Sequence, residues 1–185
     1  MARSTAERPH VTHLAPGRLD RAVADARKGD ATAFRLLYRE FAPLLHRYLT
    51  FLAGDQADDI AARVWQRAIA ELPGHRGNYQ AFAGWLAGIA RELAGGRPAR
   101  DSAPSPSAEA PAEGTAAGGP TAGPGDDTDA ALRLIRELPP DAAETVLLGS
   151  VVGLDARRTA TVMGLRQGKV RAAARRGLIA LADRL

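Results

Sequence analysis

Hydrophobic side chains recur every three or four residues along much of the chain, with polar side chains between them. This spacing places the apolar residues on one face of an α-helix. The longest such stripe runs from Phe34 to Leu52 and predicts a largely buried helix. Pro43 interrupts it, and we expect a kink or a break there, because proline removes a backbone donor and clashes with the preceding turn. We assign the aromatic residues of the stripe to core packing rather than to a cofactor pocket.

Shorter stripes with the same period predict one helix before this long one, over 19–28, and two helices after it. Asp30 or Thr32 is placed to cap the N-terminus of the long helix, since short polar side chains accept hydrogen bonds from the first free N–H groups. Asp55 is placed in the same way before the third helix. The N-terminal part of the chain is therefore predicted to be a helical domain.

The composition changes sharply over 95–128, where Ala, Gly, Pro, Ser and Thr dominate. This stretch holds six of the 12 prolines of the chain and few apolar side chains other than alanine. Such a segment cannot bury enough apolar surface to fold, so it predicts a flexible linker. It separates helical domains over 19–94 and 129–185, and the first of these follows a disordered tail over 1–18. The sequence thus predicts an all-α protein of two small helical domains.

The C-terminal domain is predicted to contain several short helices. Pro139-Pro140 separates the first two, and Asp141 is placed to cap the second. The last two helices meet at Gly164, since glycine reaches positive φ without a Cβ penalty. The residues expected to close the core at the end of the final helix are Leu178, Ile179, Leu181 and Leu185.

The two helices around Gly164 follow the helix-turn-helix pattern, in which the second helix enters the DNA major groove. Between Asp155 and Arg176 there are seven basic residues and one acidic residue, more net positive charge than the +4 of the whole chain. Clustered Lys and Arg neutralise DNA phosphates and release counterions, although a solvated basic face is the alternative. The predicted DNA-binding residues are Arg157, Arg158, Arg166, Gln167, Lys169, Arg171, Arg175 and Arg176.

Several classes of function lack the residues they need. The chain has no cysteine, which excludes disulfides and thiolate zinc sites and suits a reducing cytoplasm. It has no phosphate loop, no nucleophile elbow and no apolar run of about 18 residues. Adjacent Asp58 and Asp59 point about a hundred degrees apart on a helix and cannot act as a paired acid and base. We therefore expect a cytoplasmic protein that is not an enzyme and has no cofactor, metal or membrane span.

The order of the motifs is similar to that of a known family. The segments that carry the similarity are Ala33 to Pro43, Asp58 to Ala68, His75 to Arg91, Leu138 to Pro140 and Gly153 to Arg171. In this order they resemble a bacterial RNA polymerase sigma factor of the extracytoplasmic-function (ECF) type. The resemblance implies a first domain that binds the polymerase clamp and the downstream promoter element. It implies a second domain that binds the upstream promoter element and the polymerase flap.

The resemblance also implies sites in the first domain. The polymerase-binding residues would be Asp58, Asp59 and Arg67, and the downstream promoter residues would be Arg76, Asn78, Trp85 and Arg91. Arg76, Trp85 and Arg91 suit nucleic acid through charge and stacking, with core packing as the alternative for Trp85. The implied partners are RNA polymerase core, promoter DNA and, as a further candidate, an anti-sigma factor.

Two other functions remain open at the level of sequence. Ala62-Arg63 stands where the clamp-binding helix of the family usually carries a Gln-Glu pair. This difference favours a helix-turn-helix DNA-binding regulator that does not use polymerase, with a first domain for dimerisation or signal sensing. The other function is that of a degenerate sigma-like protein that titrates an anti-sigma partner.

Overall fold

A computed structural model describes residues 16–95 and 126–184, and every regular element in these segments is a helix. Most of the predicted tail and of the predicted linker lies outside the described residues. The described helices begin earlier than the predicted domains do, at Pro16 in the first segment and at Asp126 in the second.

The N-terminal segment contains four α-helices. They are α1 (Pro16–Ala26), α2 (Ala31–Ala53), α3 (Ala57–Glu71) and α4 (Tyr79–Leu93). Short 3₁₀ turns at Gly54–Gln56 and Leu72–Gly74 stand before and after α3. The helix α2 packs against α1, α3 and α4, so the long apolar stripe predicted from sequence lies at the centre of this half.

The C-terminal segment also contains four α-helices. They are α5 (Asp126–Arg136), α6 (Pro140–Ser150), α7 (Ala156–Met163) and α8 (Gln167–Ala182). The helix α6 packs against α5, α7 and α8. Its residues from Ala142 to Leu148 are all buried, because α6 also contacts the N-terminal half. The two halves therefore lie against one another.

The start of α2 confirms the predicted cap at Asp30, whereas the predicted break at Pro43 does not occur. The Asp30 carboxylate accepts hydrogen bonds from the N–H groups of Thr32 at 2.7 Å and Ala33 at 3.1 Å. These bonds lower the pKa of Asp30. Pro43 lies within α2, which continues to Ala53 without a break.

Two predicted helix caps are wrong. Asp55 lies within a 3₁₀ turn, and Gln56 occupies the N-cap of α3 without a side-chain capping bond. Asp141 lies in the first turn of α6, whose N-cap is Pro139. In both places the aspartate already lies within helical backbone, because Asp55 is inside the 3₁₀ turn before α3 and Asp141 follows a proline at the first helical position of α6.

The prediction that Leu178 and Ile179 close the core is also wrong. They are 56% and 52% exposed. The buried face of α8 instead carries Val170, Ala173 and Gly177. A Cβ atom on Gly177 would stand 2.8 Å from Cγ2 of Val146 in α6. Because glycine has no Cβ atom, α8 can pack closely against α6 at this position. Leu181, at the end of the same helix, is half-buried, and Leu185 lies outside the described residues.

Candidate nucleic-acid interface

The turn between α7 and α8 has the geometry that the sequence predicts. Gly164 has a φ of 65° and a ψ of 28°, in the left-handed region that favours glycine. The N–H of the following Leu165 donates to the carbonyl of Ala160 at 2.9 Å, which closes the end of α7. Thr159, Ala160 and Met163 are buried on the inner face of α7. The fold therefore holds α7 and α8 as a helix-turn-helix pair.

The basic residues of α8 lie away from its buried face. Arg166 occupies the N-cap position, and its side chain makes no capping bond, so the guanidinium is not used to begin the helix. The residues at the start of α8 and along its outer surface are exposed: Arg166, Gln167, Lys169, Arg171, Arg175 and Arg176. The structure thus brings six of the eight predicted DNA-binding residues onto one exposed helix.

The other two predicted DNA-binding residues lie in the first turn of α7. Arg157 is exposed, whereas Arg158 is half-buried and forms an ion pair with Asp155, the N-cap residue. Asp155 also accepts a 2.8 Å hydrogen bond from the N–H of Arg158, and this bond is the main cause of its lowered pKa. Arg158 therefore stabilises the start of α7 through its ion pair and backbone hydrogen bond with Asp155.

The loop before α4 holds two of the predicted downstream promoter residues. Asn78 caps α4 by accepting a 3.0 Å hydrogen bond from the N–H of Ala81, and Arg76 is exposed. Trp85 is half-buried, and its ring packs against His75 at a centroid distance of 4.9 Å. Burial, assisted by the nearby charge of Arg27, lowers the pKa of His75.

The predicted polymerase-binding residues lie on α3. Asp58 and Asp59 are exposed in its first turn, where Asp58 contacts Nε2 of His46 at 3.0 Å. Arg67 forms ion pairs with Glu71 at 2.8 Å and with Glu92 of α4 at 3.0 Å. Hydrogen bonds to these two carboxylates raise the pKa of Arg67. The guanidinium thus joins α3 to α4.

A cleft of about 650 Å³ lies between α4 and α7 and brings together residues from both halves of the chain. Four of its lining residues were singled out from sequence: Arg67, Arg76, Trp85 and Arg158. The Arg76 guanidinium and the Trp85 ring suit a negatively charged nucleic-acid strand. Arg67 and Arg158 are paired with acids, and Glu92 also lines the cleft.

Arg91 lies outside this cleft, in a contact that the sequence analysis missed. Its Nε donates to Oε1 of Glu144 in α6 at 2.8 Å. The hydroxyl of Tyr48 in α2 donates to the same oxygen, also at 2.8 Å. Glu144 is only 2% exposed. Burial first, and then the charge and hydrogen bond of Glu144, raise the pKa of Tyr48 well above its usual value.

A signal for Glu144 was present in the sequence. It is the one charged residue among the seven from Ala142 to Leu148, and all seven are buried. A charge in such a run requires a partner, because an unpaired buried carboxylate is costly. The pattern does not say which residues supply that partner.

None of the helices in residues 16–95 and 126–184 combines the length and apolarity of a bilayer span. These residues also contain no group of three or more His, Asp or Glu side chains arranged to hold a metal ion.

Similarity to known proteins extends over nearly the whole chain. No family model matches it. The chain is 34% identical over 179 residues to the ECF RNA polymerase sigma factor SigD of Mycobacterium tuberculosis and to that of Mycobacterium bovis, covering 91% of this chain and 84% of each relative. The structure of CnrH in complex with the cytosolic domain of CnrY aligns with a TM-score of 0.59 at 18% identity, over 90% of this chain and 96% of that one. This structural likeness supports the all-helical fold.

Proposed function

Because this chain belongs to the ECF RNA polymerase sigma factors, we propose that it binds RNA polymerase core and directs it to promoters through two separate DNA-binding surfaces. It acts in the cytoplasm as a subunit that positions polymerase and performs no catalysis of its own. Family membership favours this function over a polymerase-independent regulator and over a degenerate protein that only titrates an anti-sigma partner.

The observation that carries the proposal is the exposed basic surface of α8. Lys169 and Arg171 follow the N-terminus of the helix that a helix-turn-helix protein inserts into the major groove. Arg and Lys pair with the guanine edge, and Gln167 suits adenine. Arg175 and Arg176 lie further along α8 and would bind phosphates, as would Arg157 in α7. Together these residues would bind the upstream promoter element.

The first half would bind polymerase and the downstream promoter element. Exposed Asp58 and Asp59 would contact the polymerase clamp, and Arg76 and Trp85 would contact DNA through charge and base stacking. Asn78 would hold the loop by capping α4.

Two further residues would need to exchange partners before they bind. Arg67 is paired with Glu71 and Glu92, and Arg91 is paired with Glu144. Contact of Arg67 with polymerase, or of Arg91 with DNA, therefore requires that the internal ion pair be replaced by one to the partner.

An anti-sigma factor is the remaining proposed partner. CnrH, which shares the fold, was solved with the cytosolic domain of CnrY bound. Co-purification of the present chain with a protein that blocks its binding to polymerase core would test this partner directly.

The function is tested with the double variant Lys169→Ala/Arg171→Ala. It should weaken binding of the polymerase complex to promoter DNA by about tenfold or more, since each base-edge pairing contributes about 1–3 kcal/mol. Pull-down of polymerase core should be unchanged. The control is Arg18→Ala/Arg21→Ala, which removes the same charge from exposed positions of α1.

Run-off transcription on genomic fragments completes this test. Specific transcripts that require the wild-type chain, and that decline only in the α8 variant, would support the proposal. Failure of the wild-type chain to bind core would contradict the function. Equal loss of core binding and promoter binding in the α8 variant would contradict the role of Lys169 and Arg171.

A further inference from the structure

The loop from His75 to Asn78 leads from α3 into α4 and approaches the first turn of α4 closely. The N–H of His75 donates to the carbonyl of Leu72 at 3.0 Å, which holds the start of the loop. Gly77 has a φ of 128°, a conformation that residues with a side chain rarely adopt. A Cβ atom on Gly77 would stand 2.6 Å from Cβ of Ala81. The loop therefore reaches α4 along a narrowly defined path.

The end of this loop is bound from a distant part of the chain. Oδ1 of Asp20 in α1 accepts a 2.9 Å hydrogen bond from the N–H of Tyr79, the first residue of α4 and 59 positions later. Asn78 accepts from the N–H of Ala81, but Asn78 belongs to the loop itself. Asp20 is half-buried, and its carboxylate lies at the positive end of the α4 dipole. Asp20 thus ties the start of α4 to α1.

The same side of α1 borders the other end of the loop. Arg27 lies seven positions after Asp20, a spacing that returns to nearly the same face of a helix, and its N–H donates to the carbonyl of Val23 at 3.2 Å. Burial first, and then the charge of Arg27, lower the pKa of His75. The His75 ring packs against Trp85 at a centroid distance of 4.9 Å. The helix α1 therefore borders both ends of the loop.

The loop and the ring bordered in this way are those proposed to bind the promoter. Arg76 is exposed in the loop, and Trp85 is half-buried in the second turn of α4. Both line the cleft of about 650 Å³, whereas Asp20 does not. A shift in the start of α4 would change the separation of the guanidinium and the ring, which one nucleic-acid strand would contact together.

We propose that Asp20 is a positioning residue for the downstream promoter surface. Its hydrogen bond to the N–H of Tyr79 fixes the start of α4, so that Arg76 and Trp85 are presented to the promoter strand at one separation. Asp20 does not contact DNA, since its carboxylate would repel phosphate. The proposal rests on the proposed function, because it concerns the same DNA-binding surface.

The test compares Asp20→Ala with Asp20→Asn. Alanine removes the hydrogen-bond acceptor, whereas asparagine removes the charge and keeps an oxygen that accepts from the N–H of Tyr79. The matched control is Asp25→Ala, which removes an acid from the same helix. The Asp25 carboxylate is paired with the Lys28 ammonium at 3.3 Å, so its loss leaves the start of α4 unchanged.

Affinity is measured with the polymerase complex and a labelled single strand that carries the downstream element of a promoter identified by run-off transcription. Asp20→Ala should weaken binding by about three- to tenfold, whereas Asp20→Asn and Asp25→Ala should not weaken it. Charge alone predicts tighter binding in all three variants, since each removes an acid. Wild-type or tighter binding by Asp20→Ala, or an equal loss in Asp20→Asn, would overturn the proposal.

A double-mutant cycle with Arg76→Ala separates positioning from a merely structural role. If Asp20 acts through Arg76, Asp20→Ala should weaken strand binding much less in a chain that already lacks the Arg76 guanidinium. Binding of polymerase core should be unchanged in Asp20→Ala. Fully additive losses, or an equal loss of core binding, would overturn the proposal.

The hydrogen bond itself is measured in the free chain by amide hydrogen exchange. The N–H of Tyr79 should be protected in the wild-type chain and in Asp20→Asn, and it should exchange faster in Asp20→Ala. Unchanged protection in Asp20→Ala would overturn the proposal. This measurement needs neither polymerase nor DNA. If the wild-type chain does not bind polymerase core, the proposed function fails, while the exchange of Tyr79 still decides whether Asp20 holds the start of α4.

A second pair of variants removes the donor instead of the acceptor, in case Asp20→Ala does not fold by circular dichroism. Tyr79→Pro and Tyr79→Ala both remove the ring, but only proline also removes the N–H that donates to Asp20. Proline suits the first helical position, and the preceding Asn78 is already extended, with a φ of −86° and a ψ of −176°. Tyr79→Pro should bind the strand several-fold more weakly than Tyr79→Ala, and equal affinities would overturn the proposal.

Discussion

The hydroxyl of Tyr48 donates a 2.8 Å hydrogen bond to the carboxylate of Glu144, a residue 96 positions later in the chain. Both side chains are buried, Tyr48 completely and Glu144 to within 2%. The same carboxylate oxygen accepts from Arg91, whose side chain is 24% exposed. One acid in the C-terminal half is thus the hydrogen-bond acceptor for two helices of the N-terminal half.

Glu144→Ala should destabilise the chain by about 3 kcal/mol. The change leaves the Tyr48 hydroxyl without an acceptor and Arg91 without its counter-charge, and loss of one member of a buried pair is costly. Denaturant unfolding at neutral pH, followed by circular dichroism, measures the effect. Asp141→Ala removes an exposed acid from the same helix and should cost far less. Equal losses in the two variants would contradict the importance of the buried contact.

Alkaline pH should destabilise the wild-type chain more steeply than Tyr48→Phe. The pKa of Tyr48 is raised in the folded state, so folding favours the neutral phenol. The contribution of the neutral Tyr48 phenol to the free energy of unfolding is intact below pH 10.0, the usual pKa of tyrosine. This contribution is lost as the pH rises through the raised pKa of the folded state. The extra slope is up to about 1.4 kcal/mol per pH unit. Unfolding free energies measured at successive alkaline pH values test this, and identical slopes would refute it.

Gly177→Ala should destabilise the C-terminal half even though alanine is the better helix former. The new Cβ would stand 2.8 Å from Cγ2 of Val146, too close for either helix to keep its place. We expect a loss of about 1–3 kcal/mol, the usual range for overpacking. Gly168→Ala in the same helix meets no atom within 4 Å and should be stabilising by roughly 0.5–1 kcal/mol. Thermal unfolding measures both effects: the melting temperature should fall in Gly177→Ala and rise in Gly168→Ala. A rise in both variants would contradict the close packing at Gly177.

Gly164→Ala should cost about 1 kcal/mol for a different reason. Its Cβ would meet nothing, but the φ of 65° places an alanine in the left-handed region. The loss should appear in stability and in promoter affinity together, because the turn sets the angle of α8. Asparagine tolerates this conformation better, so Gly164→Asn should recover part of both. An alanine variant with wild-type stability would show that the turn adopts another conformation.

Sequence periodicity was enough to predict the helices, most of the buried stripe of α2 and the turn at Gly164, although Tyr38 of that stripe is 46% exposed. These features depend on neighbours within a few residues, which a linear pattern records. The predicted caps at Asp55 and Asp141 are wrong because a 3₁₀ turn and a proline place the N-caps at Gln56 and Pro139 instead. A capping residue is defined by its backbone angles, and residue type alone does not fix them.

Periodicity was not enough to predict which faces meet. Leu178 and Ile179 were assigned to the core by hydrophobicity, yet α8 packs through its smaller residues because Gly177 permits the closest approach to α6. The partners of Glu144 were missed for a related reason. They lie 53 and 96 positions away in the chain, and no local pattern identifies so distant a contact.

The contact at Glu144 also couples the unfolding of the two halves. Its carboxylate accepts hydrogen bonds from Tyr48 of α2 and from Arg91 of α4, so unfolding of either half removes a hydrogen-bond partner from the other. The described segments should therefore melt in one cooperative transition, and a destabilising change in one half should lower the melting temperature recorded by probes in both.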